Sequence, residues 1–126
     1  MDDDELNRLY ACALAWTAAP APAIEAVRST MRGRPGHVAR LRALRSACLR
    51  HRPGASLAEI PQPLATLATL DPQVRDAAVV TDVAGLPPES GAQVLGLPAE
   101  TVAARAECAR VAVAVAHARG CVPVPC

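Results

Sequence analysis

The residues able to do chemistry in this chain are mostly arginines, and the spacing that matters is helical. Thr101, Arg105 and Arg110 fall along one stretch that opens after a Gly96-Leu97-Pro98 break. Arginine presents a planar fork that grips a phosphate or a guanine edge through two parallel hydrogen bonds. A second group is Arg40, Arg42, Arg45, Arg50 and Arg52, preceded by Arg32 and Arg34. It lies in a segment with no acidic residue between Glu25 and Glu59. Two readings of this basic patch stand side by side: a solvated helix face, or a surface for phosphates or an acidic partner. His37 and His51 read as surface residues beside it.

The other reactive side chains form no recognisable set. Cys108, His117, Cys121 and Cys126 offer thiolate and imidazole donors of the kind zinc and copper accept, but at the spacing of no common finger. Cys108 also reads as plain packing. Five cysteines is an odd count without a Cys-x-x-Cys, which argues against a disulfide framework and for reduced thiols. No Ser/His/Asp set, carboxylate pair or phosphate loop occurs at useful spacing, so nothing here argues for an enzyme, a cofactor or a resident metal.

Composition narrows the class. The 126 residues allow one domain or two small lobes. Net charge is +1, so there is no chain-wide nucleic-acid signature, and every basic residue is Arg. The opening Met1-Asp2-Asp3-Asp4-Glu5 is acidic where a secretory segment is basic, and no apolar run approaches membrane-spanning length. These features lead to the expectation of a cytoplasmic protein without a membrane partner.

The elements that must position the arginines are helices, since helix formers abound and no stretch sustains strand alternation. Asp3 to Thr17 reads as the first helix, with Leu6, Leu9, Tyr10, Ala13, Leu14 and Trp16 facing a core. A Pro-rich joint follows. A second helix is expected from about Ala23 to Met31, with Ile24, Val27 and Met31 inward. The third runs from Val38 to about Arg50, with Leu41, Leu44, Cys48 and Leu49 inward. After a linker, Leu64 to Leu70 forms a short helix. Asp71 caps the next, Pro72 suits its first position, and Gly85 closes it. Glu89 to Leu95 is a short segment broken by Gly96, and a long last helix begins near Pro98 or Ala99. Helix, glycine turn, helix is the layout of a helix-turn-helix, whose second helix fits a DNA major groove.

Leu70-Asp71-Pro72-Gln73-Val74-Arg75, Asp82-Val83-Ala84-Gly85-Leu86, Val94-Leu95-Gly96-Leu97-Pro98, Thr101-Val102 and Arg105 together resemble region four of bacterial ECF sigma factors. The family's run there is close to LPPRQR and then DVEGLSYEEIAEVLGIPVGTVKSRLHRAR, and the spacing of every landmark is kept over about forty residues. The front half resembles a shortened region two, with Ala23 to Met31 and Val38 to Arg52 lying where that family has two of its helices. The resemblance implies an all-α protein of two small helical lobes. They would comprise 1–52, a Pro-rich linker at 53–63, a helix-turn-helix lobe at 64–120, and a Pro/Cys tail at 121–126. It implies transcriptional regulation through DNA, RNA polymerase or another regulator, with Thr101, Arg105 and Arg110 as the DNA-facing residues.

Departures from the family pattern shape the expectation further. Ala26 and Arg28 stand where its polymerase-clamp motif has an acidic residue and Gln. Its melting helix uses aromatics to hold flipped bases, and this chain has none there and no Phe anywhere. Promoter opening by this chain alone is therefore not expected. Gly91 replaces a buried Ile, which should forfeit roughly 2 kcal/mol of burial and cost about 1 kcal/mol of helix propensity. Pro87 replaces a Ser cap. Ala103, Ala104, Glu107 and Cys108 replace Lys, Ser, a polar or basic residue, and Arg. From Leu70 onward four Arg face six Asp and Glu, a balance of −2. DNA affinity leans on phosphate neutralisation, so weak DNA binding is expected. The rival is a sigma-derived module that binds only protein, and a metal- or thiol-responsive regulator is a third reading.

Overall fold

The computed structural model describes residues 3–31, 36–49 and 60–118. Within them the chain is helical, with no strand. The elements are α1 (Asp3–Thr17), α2 (Pro20–Thr30), α3 (His37–Cys48), α4 (Leu64–Ala68), α5 (Pro72–Ala78), α6 (Pro88–Leu95) and α7 (Ala99–Ala118). A π-helical stretch, Val79–Val83, extends α5 directly. Most of the linker at 53–63 and all of the tail at 121–126 lie outside the described residues.

The first helix is the axis of the molecule. Its acidic first turn, Asp3, Asp4 and Glu5, suits the positive end of the helix dipole. Leu6 and Tyr10 are only half-buried, but every residue from Cys12 to Ala18 is buried. A helix covered all round must have neighbours on every side. Those neighbours are α2, α3, α4 and α5 with its π stretch. The expected one-sided face was too narrow: Cys12, Ala15 and Thr17 are buried as well. Thr17 satisfies its buried hydroxyl on the Ala13 carbonyl at 2.8 Å. Ala18 then stops the helix at φ +54°, a left-handed conformation that costs a β-carbon residue roughly 1 kcal/mol.

Two expected inward residues of the second helix point out. Ile24 and Met31 are each 47% exposed, while Ala23, Ala26, Val27 and Thr30 are buried. Small residues let α2 lie close to α1 and α3, and the long side chains are left to the rim. Leu49 is likewise 59% exposed, because it continues the helical turn and falls about 100° round from the buried Cys48.

Buried side chains of both halves form one continuous cluster: Leu9 and Cys12 of α1 and Leu41 and Leu44 of α3 share it with Val79, Val80 and Val102. Front and back of the chain are thus packed on each other. Two thiols sit in this core. Burial pushes the Cys48 thiol up to about 12, and burial, then proximity to Cys48, pushes Cys12 higher.

Gly91 lies where α6 meets α7 and the π stretch. A β-carbon there would come within 3.1 Å of Val80 Cγ2 and 3.2 Å of Val102 Cγ1. The expected loss of buried volume does not occur, because the two valines close on the glycine and fill the space. Overpacking is therefore the hazard at this position. Gly91→Leu should lower the unfolding free energy by about 3 kcal/mol, read by urea denaturation with far-ultraviolet circular dichroism. Gly91→Ala should change it far less, since a gain of about 1 kcal/mol in helix propensity offsets the crowding.

The thiols give the fold a pH dependence of defined sign. Their folded values lie above the ordinary 9.0, so above pH 9 the unfolded chain sheds protons that the folded chain keeps. Stability should be insensitive to these groups below pH 9 and fall as pH rises toward 12, by up to about 1.4 kcal/mol per pH unit for each thiol. Urea midpoints between pH 8 and 11 check this, and Cys12→Ala with Cys48→Ala should flatten the slope.

Candidate functional site

The back half builds its helix-turn-helix from punctuation. Asp71 caps α5 by accepting from the Gln73 backbone N–H at 3.0 Å, and Pro72 takes the first helical position. The π stretch closes with the Ala84 N–H on the Val79 carbonyl at 2.8 Å, and Gly85 turns the chain at φ +75°. Pro87 precedes α6 without a side-chain cap, and Pro88 starts it. Gly96, at φ +68°, ends α6 by donating to the Ala92 carbonyl at 2.8 Å. The backbone N–H groups of Thr101 and Val102 then meet the Pro98 carbonyl, each at 3.1 Å, at the start of α7.

α7 buries Val102, Ala106 and Ala109 against α5 and α6. Thr101 and Arg105 are half-buried at the edge of that face, and the Arg105 side chain makes no hydrogen bond or ion pair with the described residues. Arg110 is placed differently. It binds both carboxylate oxygens of Asp82, the nearer at 2.8 Å, and Glu107 at 2.9 Å. The Asp82 bonds first, then those to Glu107, hold its guanidinium above its ordinary value.

Three described arginines of the basic patch are held by other helices, Arg40 and Arg45 half-buried and Arg42 exposed. Arg40 pairs with Glu5 of α1. Arg42 donates to the Gln93 carbonyl of α6. Arg45 reaches Asp76 of α5 at 2.8 Å. Each ties α3 to a different helix, so these three act as internal braces. Arg32, Arg34, Arg50, Arg52 and His51 lie outside the described residues. His37 stands 3.6 Å from Glu5, on the same brace as Arg40.

Asp76 is the residue that reading along the chain misses. Its Oδ1 accepts from the Trp16 indole N–H at 2.8 Å while its Oδ2 takes Arg45. Its side chain is 13% exposed. The one sequence signal was a carboxylate set beside the apolar Val74, Ala77 and Ala78 of a short helix.

The proposed donor set of Cys108, His117, Cys121 and Cys126 does not form around one ion on α7. Cys108 and His117 are nine residues apart, about 13 Å along a helix axis and on opposite sides of it. Cys121 and Cys126 lie outside the described residues. No group of three or more His, Cys, Asp or Glu able to hold a metal occurs among the described residues. His117 instead lines an apolar groove of about 530 Å³ between α4 and α7, with Leu67, Ala109 and Val113 on its walls and the Arg110–Asp82 pair at its edge. No described helix is long and apolar enough to cross a membrane.

An all-helical bundle, with α6 and α7 joined by a short turn at Gly96, is the class these elements define. Compared with family models, curated proteins and solved structures, the chain matches none.

Removing Asp76 strands two groups at once, a buried indole N–H and a half-buried guanidinium. Asp76→Ala should cost about 3 kcal/mol of stability. Asp76→Asn keeps an acceptor for Trp16 and should cost about half as much. Trp16 is the only tryptophan, so its fluorescence during urea unfolding reports both variants directly.

Proposed function

We propose that this chain is a sigma-like transcriptional regulator that acts through protein contacts more than through affinity for DNA. The resemblance of Leu70 to Arg105 to sigma region four supports the place in transcription. The observation that carries the protein-contact reading is the disposition of charge. Arg40, Arg42, Arg45 and Arg110 are held by partners within the chain. On α7 the exposed residues include Ala103, Ala104, Glu107, Cys108, Val111 and Val115, and its one exposed arginine, Arg110, is paired with Asp82 and Glu107. A groove-reading helix needs cations on that side to displace counterions from phosphates. This one offers Arg105 and a carboxylate.

A second reading, direct DNA recognition, draws on the half-buried Arg105 and Thr101 near the start of α7. It predicts weak affinity with a shallow salt slope, corresponding to roughly two or three phosphate contacts. Fluorescence anisotropy on duplex DNA at several salt concentrations, beside titration of purified host RNA polymerase core, separates the two. The expected result is DNA binding at micromolar strength or poorer, removed by Arg105→Ala and strengthened by Glu107→Arg with Cys108→Arg, with tighter binding to polymerase core. Nanomolar, sequence-selective DNA binding by the native chain, or no binding to polymerase core, would overturn the reading.

A further inference from the structure

α7 is apolar on two opposite sides. One side, Val102, Ala106 and Ala109, is buried in the bundle. On the other, Ala104, Cys108, Val111, Val115 and Ala118 are all exposed, Val111 at 55% and Val115 at 42%. A surface helix normally turns charge to solvent on the side away from the core. The outer residues are spaced four, three, four and three, and the half-buried Thr101 extends the series by one step. That is the heptad spacing of a two-helix seam, with Thr101, Cys108 and Val115 at one core position and Ala104, Val111 and Ala118 at the other.

We propose that this outer face of α7 pairs with the same face of a second copy of the chain, parallel and in register. The flanking charges select the occupant and its direction. Glu100 and Arg105 take the two flanking positions that meet across a parallel seam, so Glu100 of each copy lies beside Arg105 of the other, twice by symmetry. Neither side chain has an ion pair among the described residues. Antiparallel pairing along the same seam would set Glu100 near Ala114 of the partner, bring the two Glu107 side chains together, and lose both attractions. The face is thus complementary to itself in one orientation. The seam and the packed side lie on opposite sides of the helix.

The seam is short and its largest knobs are valines, so the dimer is reversible, with a dissociation constant on the order of 100 μM. In-register pairing places the two Cys108 side chains in one layer. This inference rests on the reading of α7 as a protein-contact surface and goes beyond it by naming the occupant. It also makes pairing and groove reading mutually exclusive, since both use the face around Thr101 and Arg105.

Sedimentation equilibrium of the full chain, in a Cys121→Ser/Cys126→Ser background, tests the pairing. The expected result is a concentration-dependent dimer that a short bismaleimide joins through Cys108, the buried Cys12 and Cys48 staying unlabelled. Val111→Glu with Val115→Glu should abolish dimer and crosslink with helicity unchanged, since both sites are exposed. Glu100→Arg alone should weaken the dimer about tenfold, and Glu100→Arg with Arg105→Glu should restore it. A monomer at about 1 mM, a dimer indifferent to the valine changes, or a charge reversal that fails to rescue would overturn the proposal. A monomer that still binds polymerase core would overturn the pairing alone and leave the wider functional reading standing.

Discussion

The Asp76 carboxylate holds the two halves of this protein in register. One oxygen takes the indole N–H of Trp16 on α1, and the other takes the guanidinium of Arg45 on α3. Three helices converge on one side chain that is mostly withdrawn from water. A carboxylate so placed must have its charge and lone pairs answered by neighbours, because burial without partners costs several kcal/mol. Hydrophobic packing brings α1 against the π stretch of α5, but packing is non-directional. The shared carboxylate supplies the direction. Arg42 adds a single exposed hydrogen bond to the Gln93 carbonyl, joining α3 to α6.

This bracing changes what the arginines mean. Read along the chain, a run of basic residues without intervening acids suggests an electrostatic surface. In space, the acids that answer Arg40 and Arg45 come from Glu5 and Asp76, 35 and 31 residues away. Local charge density therefore overstates the field presented to a partner. The same holds for Arg110, whose charge is matched by Asp82 across the helix-turn-helix and by Glu107 on its own helix. The charges of Arg40, Arg45 and Arg110 are thus answered by carboxylates within the molecule.

The elements themselves were largely legible, because they are set by short-range chemistry. Asp71 with Pro72, and the glycines at 85 and 96, mark helix ends through single-residue preferences, and they mark them where expected. Facing was less legible. Ile24, Met31 and Leu49 have the apolar character of core residues, yet the packing distance between α1, α2 and α3 is set by alanines and leaves them outside. Gly91 shows the same limit. Its fitness depends on two valine methyl groups from other helices, which no pattern within α6 records. The Trp16–Asp76 contact spans 60 residues and leaves no periodic trace at all.

α7 concentrates the consequences. Its inner side is made of Val102 and two alanines, small enough to let α5 and α6 approach closely, and Gly91 completes that fit from the facing helix. Once this side is packed, the helix has no further need of apolar residues, and the side facing away would be expected to carry charge. It carries alanine, cysteine and valine at heptad spacing, flanked by Glu100 and Glu107 on one edge and Arg105 on the other, with Glu100 and Arg105 in the order that suits a parallel copy of itself. Core packing cannot account for those residues, because they are exposed, and they add no charge with which to neutralise phosphates. A helix with one apolar side in the core and a second one exposed leaves that second side free for the pairing proposed for α7.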